Sequence, residues 1–140
     1  MTVATWPSDL PRPSRAGYQR QTDDPRLARR AEAGPPTYRR RWSSTTRSVA
    51  LVIDVSRAQK AVFDSFHDEV TALGSLPFWM PDPTTDGWPV LDAAGAPVLA
   101  GDGAPLLLAA QWLCLFGATT PVETLRGVRF QISFGVTVLP

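Results

Sequence analysis

Residues 45–79 read TTRSVALVIDVSRAQKAVFDSFHDEVTALGSLPFW, and three patterns follow one another within them. From Thr45 to Val55 the apolar residues Val49, Leu51, Ile53 and Val55 alternate with Ser48, Ala50, Val52 and Asp54, the period-two signature of a strand with one buried face. Ser56 then offers a side-chain oxygen at an N-cap position, and Gln59 three residues later completes a capping box. Ala58, Val62, Phe66, Val70 and Leu73 recur at steps of three and four, one apolar stripe on a helix predicted over 57–73, with Asp64, Asp68 and Glu69 outside. Gly74 fits the left-handed residue after a helix. Leu76-Pro77-Phe78-Trp79 then opens a second strand, which Pro81-Asp82-Pro83 ends. This strand–helix–strand unit carries no recognisable catalytic set. Its residues build and present surfaces.

Towards the C-terminus an eight-residue period appears in Gly87-Trp88-Pro89-Val90-Leu91, Gly95-Ala96-Pro97-Val98-Leu99 and Gly103-Ala104-Pro105-Leu106-Leu107. A glycine turn, a proline at a strand start and two apolar residues predict a small meander or β-hairpin inserted over 85–108. Ala109–Phe116 is a further strand and Gly117–Pro121 a turn. The closing strand is the clearest: Val128, Phe130, Ile132, Phe134, Val136 and Val138 face one way, with Arg129, Gln131, Ser133, Gly135 and Thr137 opposite.

Towards the N-terminus, Pro7, Pro11, Pro13, Pro25, Pro35 and Pro36 obstruct regular structure, so residues 1–36 read as an extended Pro/Arg-rich arm before a single β-rich domain over 37–140. Trp6, Leu10, Tyr18 and Leu27 are apolar anchors by which such an arm docks, on its own domain or on an adjacent subunit. Arg26–Ala33 is predicted to form a helical turn or two, and Tyr38-Arg39-Arg40-Arg41-Trp42 an edge strand. The net charge of +1 conceals a division. Residues 1–47 carry ten arginines against Asp9, Asp23, Asp24 and Glu32, whereas residues 48–140 carry Arg57, Lys60, Arg126 and Arg129 against nine acids. A basic arm beside an acidic body suits a contact with an acidic neighbour; a solvated basic tail is the plainer alternative.

The inventory for chemistry is thin. His67 is the only histidine and Cys114 the only cysteine, so neither a metal set nor an intrachain disulfide is expected, and no cofactor. Asp92-Ala93-Ala94-Gly95 and Gly101-Asp102-Gly103 are better explained by turn chemistry than by a protease loop or an ion site. Arg39-Arg40-Arg41-Trp42 combines cations with an aromatic ring as nucleic-acid sites do, although an edge strand guarded by charge, or one facing an acidic partner, accounts for it more simply. Phe78, Trp79 and Trp88 are candidates for an aromatic patch, in the core or at a subunit contact. No secretory leader and no membrane-length apolar run is apparent, so a soluble protein made in the cytoplasm is expected.

In their order these elements resemble the minor tail proteins of lambda-like phages with long non-contractile tails. Gly17-Tyr18-Gln19-Arg20 matches the family's N-terminal element, Val49–Val55 its strand, Phe63 and Phe66 its helix, Gly74–Trp79 its turn and Phe-Trp pair, and Gly127–Leu139 its closing strand. Residues 21–42 and the period-eight insertion depart from it. The resemblance implies a mainly β (α+β) fold, an antiparallel β-sandwich or split barrel with one packed helix, as in tail-tube proteins. It implies a non-enzymatic tail-tip (distal tail) subunit of the virion, made in the bacterial host cytoplasm, that forms a homo-oligomeric, sixfold ring between tail tube and tip hub, with no membrane. A tail-tube, terminator or head–tail connector protein is the alternative within that class; a small nucleic-acid-binding protein using the basic half is the alternative outside it. Trp6, Tyr18, Arg39, Arg40, Arg41, Trp42, Phe78, Trp79 and Trp88 are the expected subunit contacts.

Overall fold

Residues 2–140 are described by a computed structural model. In chain order the strands are β1 (Ala4–Thr5), β2 (Gln19–Thr22), β3 (Arg26–Arg29), β4 (Thr37–Arg40) and β5 (Arg47–Val55), followed by helix α1 (Arg57–Ser65). A π-helical turn (Phe66–Val70) continues α1, and β6 (Phe78–Pro81), β7 (Gln111–Phe116), β8 (Val122–Arg126) and β9 (Arg129–Val138) complete the chain. The protein is mainly β, with one packed helix, as its periodicities indicate.

The closing strand organises the main sheet, whose order is β1-β6-β7-β9-β5-β2, with β8 as a seventh strand on β9. β5 pairs along all of its length with β9, from Arg47 opposite Val138 to Val55 opposite Phe130. The other edge of β9 is shared: residues 129–133 take β8 and residues 136–138 take β7. Gly135 lies at the changeover, where the Gly117 N–H donates to its carbonyl at 2.7 Å. A Cβ on Gly117 would stand 3.3 Å from that oxygen, a tight approach that favours glycine. Val49, Leu51, Ile53 and Val55 are all buried, as are Ile132, Phe134 and Val136. Val128, grouped with them by alternation, instead occupies the two-residue turn between β8 and β9 and is 91 % exposed.

The N-terminal segment is built into this body. β1 adds to β6 in parallel, and the Trp6 N–H donates to the Trp79 carbonyl at 2.7 Å. At the opposite edge the Ser14 N–H donates to the Val52 carbonyl at 2.7 Å, and β2 continues that edge on β5. Residues 6–18 therefore bridge the two edges of the sheet, and the segment read as an arm docks on its own domain. Trp6 and Leu10 are core residues, with Tyr18 packed against the core. The Trp6 indole stacks on Phe78 (6.2 Å) and Phe134 (5.6 Å) from the sheet and meets Phe63 (6.1 Å) and Phe66 (5.7 Å) of the helical segment edge-on. Cys114 is buried in the same core, and burial pushes its thiol up to about 12.

The capping box forms as read: the Gln59 N–H donates to Ser56 Oγ and the Ser56 N–H to Gln59 Oε1. The helix predicted over 57–73 is shorter and changes pitch. After Ser65 the chain widens to i→i+5 bonding, the Thr71 N–H reaching the Phe66 carbonyl at 3.0 Å. The fully buried Thr71 seals this turn by donating its hydroxyl to the His67 carbonyl at 2.8 Å. Phe63 and Phe66 face the sheet, and past the change of pitch Val70 and Leu73 of the expected stripe are exposed, as is Ala58 in the first turn. Ala72 (φ +50°) and Leu73 (φ +58°) then enter the left-handed region ahead of Gly74 (φ +85°). Arg26–Ala33 is likewise corrected: Arg26–Arg29 is a strand, since Pro25 starts it and β4 pairs with it.

Two outcomes follow for stability. Trp6→Ala removes the indole between helix and sheet and is expected to lower the free energy of unfolding by about 3–5 kcal/mol in chemical denaturation. Leu73 makes its left-handed turn with its side chain 72 % exposed. Leu73→Gly therefore relieves backbone strain without loss of packing, for an expected gain of about 0.5–1 kcal/mol in the same assay.

Candidate interaction surfaces

The nine residues expected at contacts divide by position. Trp6 and Phe78 belong to the core of their own chain, and Tyr18 packs against it half-buried. Phe78 and Trp79 alternate on β6: Phe78 turns inward at 0 % exposure and Trp79 outward at 40 %. Arg39, Arg40, Arg41 and Trp42 are all exposed, on or just after β4. Trp88 is exposed on the inserted segment, with the Arg15 guanidinium 5.6 Å from its ring.

β3 and β4 pair only with each other, forming a two-stranded ribbon outside the main sheet with every residue of both strands exposed. Cross-strand partners share a face. Arg26 with Arg40 and Ala28 with Tyr38 stand on one side; Leu27 with Arg39 and Arg29 with Thr37 stand on the other. An isolated hairpin is marginal in water, and this one is secured at its base. Asp23 accepts from the Thr46 and Ser48 hydroxyls, the Thr45 hydroxyl donates to the Asp23 carbonyl at 2.9 Å, and the Arg41 N–H donates to the Pro25 carbonyl at 2.8 Å. Arg26 is held twice. It donates two side-chain bonds to Asp24, which with a backbone bond hold that carboxyl down at about 2, and its guanidinium lies 4.1 Å from the Tyr38 ring centre. Among the described residues Arg29, Arg30, Arg39, Arg40 and Arg41 form no ion pair, Arg41 lying instead over Trp42 at 5.1 Å.

The period-eight segment is neither a meander nor an ordinary hairpin. Its equivalent residues close a ring: the Val98 N–H donates to Val90 O, the Leu106 N–H to Val98 O, and the Val90 N–H back to Leu106 O, at 2.8, 2.9 and 2.8 Å. A second set obeys the same rotation, from Asp92 N–H to Ala96 O, Ala100 N–H to Ala104 O and Leu108 N–H to Trp88 O. A third runs from Gly95 N–H to Asp92 O, Gly103 N–H to Ala100 O and Gly87 N–H to Leu108 O. Gly87, Gly95 and Gly103 have φ of +79°, +83° and +84°, which explains why glycine recurs there. The result is a triangular knob with internal threefold pseudosymmetry, set between β6 and β7. The bridges Pro89–Leu107, Leu91–Pro97 and Leu99–Pro105 put three prolines and three leucines on one side. Leu91, Leu99 and Leu107 are 58 %, 59 % and 61 % exposed, near-equal values for residues related by the rotation. Asp92 and Asp102 accept backbone N–H bonds within the knob, as turn chemistry requires.

Both features project from one end of the body. The ribbon leaves β5 at Arg47, which faces Val138 near the end of β9, and the knob leaves β7 at Gln111, beyond the Cys114–Val138 pair. An Arg12–Asp86 ion pair ties the neck of the knob to the N-terminal segment. The one histidine is built into the packing: His67 Nδ1 lies 2.9 Å from an Asp68 oxygen, and its ring meets Phe116 edge-on at 4.8 Å. Among the described residues no cluster of three or more His, Cys, Asp or Glu side chains could hold a metal ion, and no helix is long and apolar enough to cross a membrane.

Because the knob satisfies its own backbone, replacing residues 88–107 by a short Gly-containing turn is expected to leave the body folded, with Tm lowered by less than about 5 °C in calorimetry. Comparison with known proteins adds no relative: no family model, no curated protein and no solved structure matches this chain.

Proposed function

We propose that this chain is a structural, non-enzymatic subunit of a phage or phage-like tail, forming a tail-tip ring between the tail tube and the hub. The observation that carries this reading is the arginine ribbon. It projects beyond the sheet, is exposed on both faces, and has four side chains (Arg29, Arg30, Arg39 and Arg40) with neither an ion pair nor an aromatic partner. Backbone bonds at its base hold such a ribbon in a defined place, which suits reaching a neighbour. The exposed leucines of the knob add a second, uncharged surface at the same end of the body. The helix-backed sheet is then the scaffold, and ribbon and knob are the connectors. The resemblance in element order to minor tail proteins supports the same assignment.

A second reading, nucleic-acid binding, has one observation in its favour. A two-stranded ribbon with arginines on both faces and Tyr38 and Trp42 exposed has the width and charge that a duplex major groove admits. The ring reading is preferred because the rest of the chain carries an excess of acid that would match the ribbon.

Negative-stain imaging and mass measurement of the full-length protein at low ionic strength are expected to show closed rings, and removal of residues 26–40 to abolish them while the body stays folded. A native chain that remains monomeric under those conditions overturns the proposal.

A further inference from the structure

We propose that the ribbon of one copy docks on the outer face of the helical segment of the next copy, with Arg39 and Arg41 opposite Asp64 and Asp68. This rests on the ring reading and names its contact.

The partner is identified by what remains unneutralised in the chain. No lysine or arginine occurs between residues 61 and 125, a stretch with eight acids. Most of these acids are engaged locally. Asp82 accepts from the Thr84 and Thr85 hydroxyls, Asp86 from Arg12 and the Ala110 N–H, Asp92 and Asp102 from N–H groups in their own turns, and Glu123 pairs with Lys60 at 3.0 Å. The three that remain share the helical segment. Asp64, Asp68 and Glu69 are exposed and have no lysine or arginine partner, Asp68 touching only His67. Among the described residues the cations without an ion pair include Arg29, Arg30, Arg39, Arg40 and Arg41 of the ribbon and its connection, as well as Arg15, Arg20, Arg47, Arg57 and Arg126, and the three exposed carboxylates without a lysine or arginine partner on the helical segment share it with Arg57. Among the described residues no ion pair joins ribbon and helical segment, so a second copy supplies the match.

The spacings agree. Arg39 and Arg41 are two residues apart on one strand face, about 6.6 Å, because the Arg41 N–H bond to Pro25 extends the ladder past β4. Asp64 and Asp68 lie about one helical turn apart, about 5–6 Å along the axis across the α-to-π changeover. Strand and helix side chains therefore meet pair by pair. Two different patches are joined, so the contact is heterologous and repeats from copy to copy until it closes.

Charge reversal tests this. Arg39→Glu/Arg41→Glu and Asp64→Lys/Asp68→Lys, each checked for an unchanged fold by circular dichroism, are expected to weaken self-association at least tenfold in sedimentation velocity at low salt. An equimolar mixture of the two variants is expected to regain it, since each reversed patch then meets its complement. Native assembly is expected to weaken as salt rises from about 0.05 to about 0.5 M, where screening shortens the reach of exposed charges. If the native chain assembles and the reversed variants assemble equally well, or fail to recover on mixing, the contact is wrong and the ring reading stands. If the native chain stays monomeric at low salt, both fall. A monomeric native chain that shifts duplex DNA at low salt, with the shift lost in Arg39→Glu/Arg41→Glu, overturns the contact in favour of nucleic acid.

Discussion

The indole of Trp6 is the clasp on which the body depends. It lies between two layers, stacked on Phe78 and Phe134 of the sheet and edge-on to Phe63 and Phe66 of the helical segment. Five of the chain's six phenylalanines are buried in this cluster, so helix and sheet are joined mainly by aromatic area rather than by polar contacts. The clasp also determines the path of the chain. To place Trp6 there, β1 must lie on β6, and residues 6–18 must then cross to the edge of β5, where Ser14 bonds Val52. Gly17 passes so close to Val52 that an added Cβ would stand 2.5 Å from its Cγ2. The Trp6 indole thus joins helix to sheet, and the segment it anchors, residues 6–18, bridges both edges.

The projections solve a different problem. Ribbon and knob stand away from the core and gain little from it, so each satisfies its own backbone. The ribbon does so by pairing β3 with β4, the knob by closing a ring. Their polar side chains divide accordingly. Carboxylates near the turns cap local N–H groups, whereas most of the ribbon's arginines remain unpaired, so the charge asymmetry along the sequence becomes a spatial one.

The parts of the fold legible in the sequence are those governed by neighbours in the chain. β5 and β9 announce themselves by alternation, and the helix start by Ser56 and Gln59, because strand facing and capping are local. The π turn is not local in that sense. It follows Phe66 and is sealed by the buried Thr71 hydroxyl on the His67 carbonyl, and a stripe drawn at ordinary helical pitch runs on to Val70 and Leu73. β8 has no alternation to read, since all five of its residues are exposed and it exists by pairing with β9. Arg39, Arg40, Arg41 and Trp42 are exposed, as charge on an edge strand predicts. Trp6 among prolines reads as an anchor on its own domain or on a neighbour, and only the tertiary path shows that the core it anchors is its own. The repeat was visible, but its closure was not, because the bond from Val90 to Leu106 joins the first unit to the third.

That closure makes the knob a structure that can be counted. Two units of eight residues would leave the first and last hydrogen-bonding positions without partners, and a fourth would force the ring open, because each unit turns the chain through one third of a revolution. The side chain at the ring-closing position varies between Val90, Val98 and Leu106, whereas the proline before it and the leucine after it are the same in all three units. The knob's length is tied to that closure: inserting or deleting a single residue or a single unit breaks the match between the Val90 N–H and the Leu106 carbonyl that joins the last unit to the first.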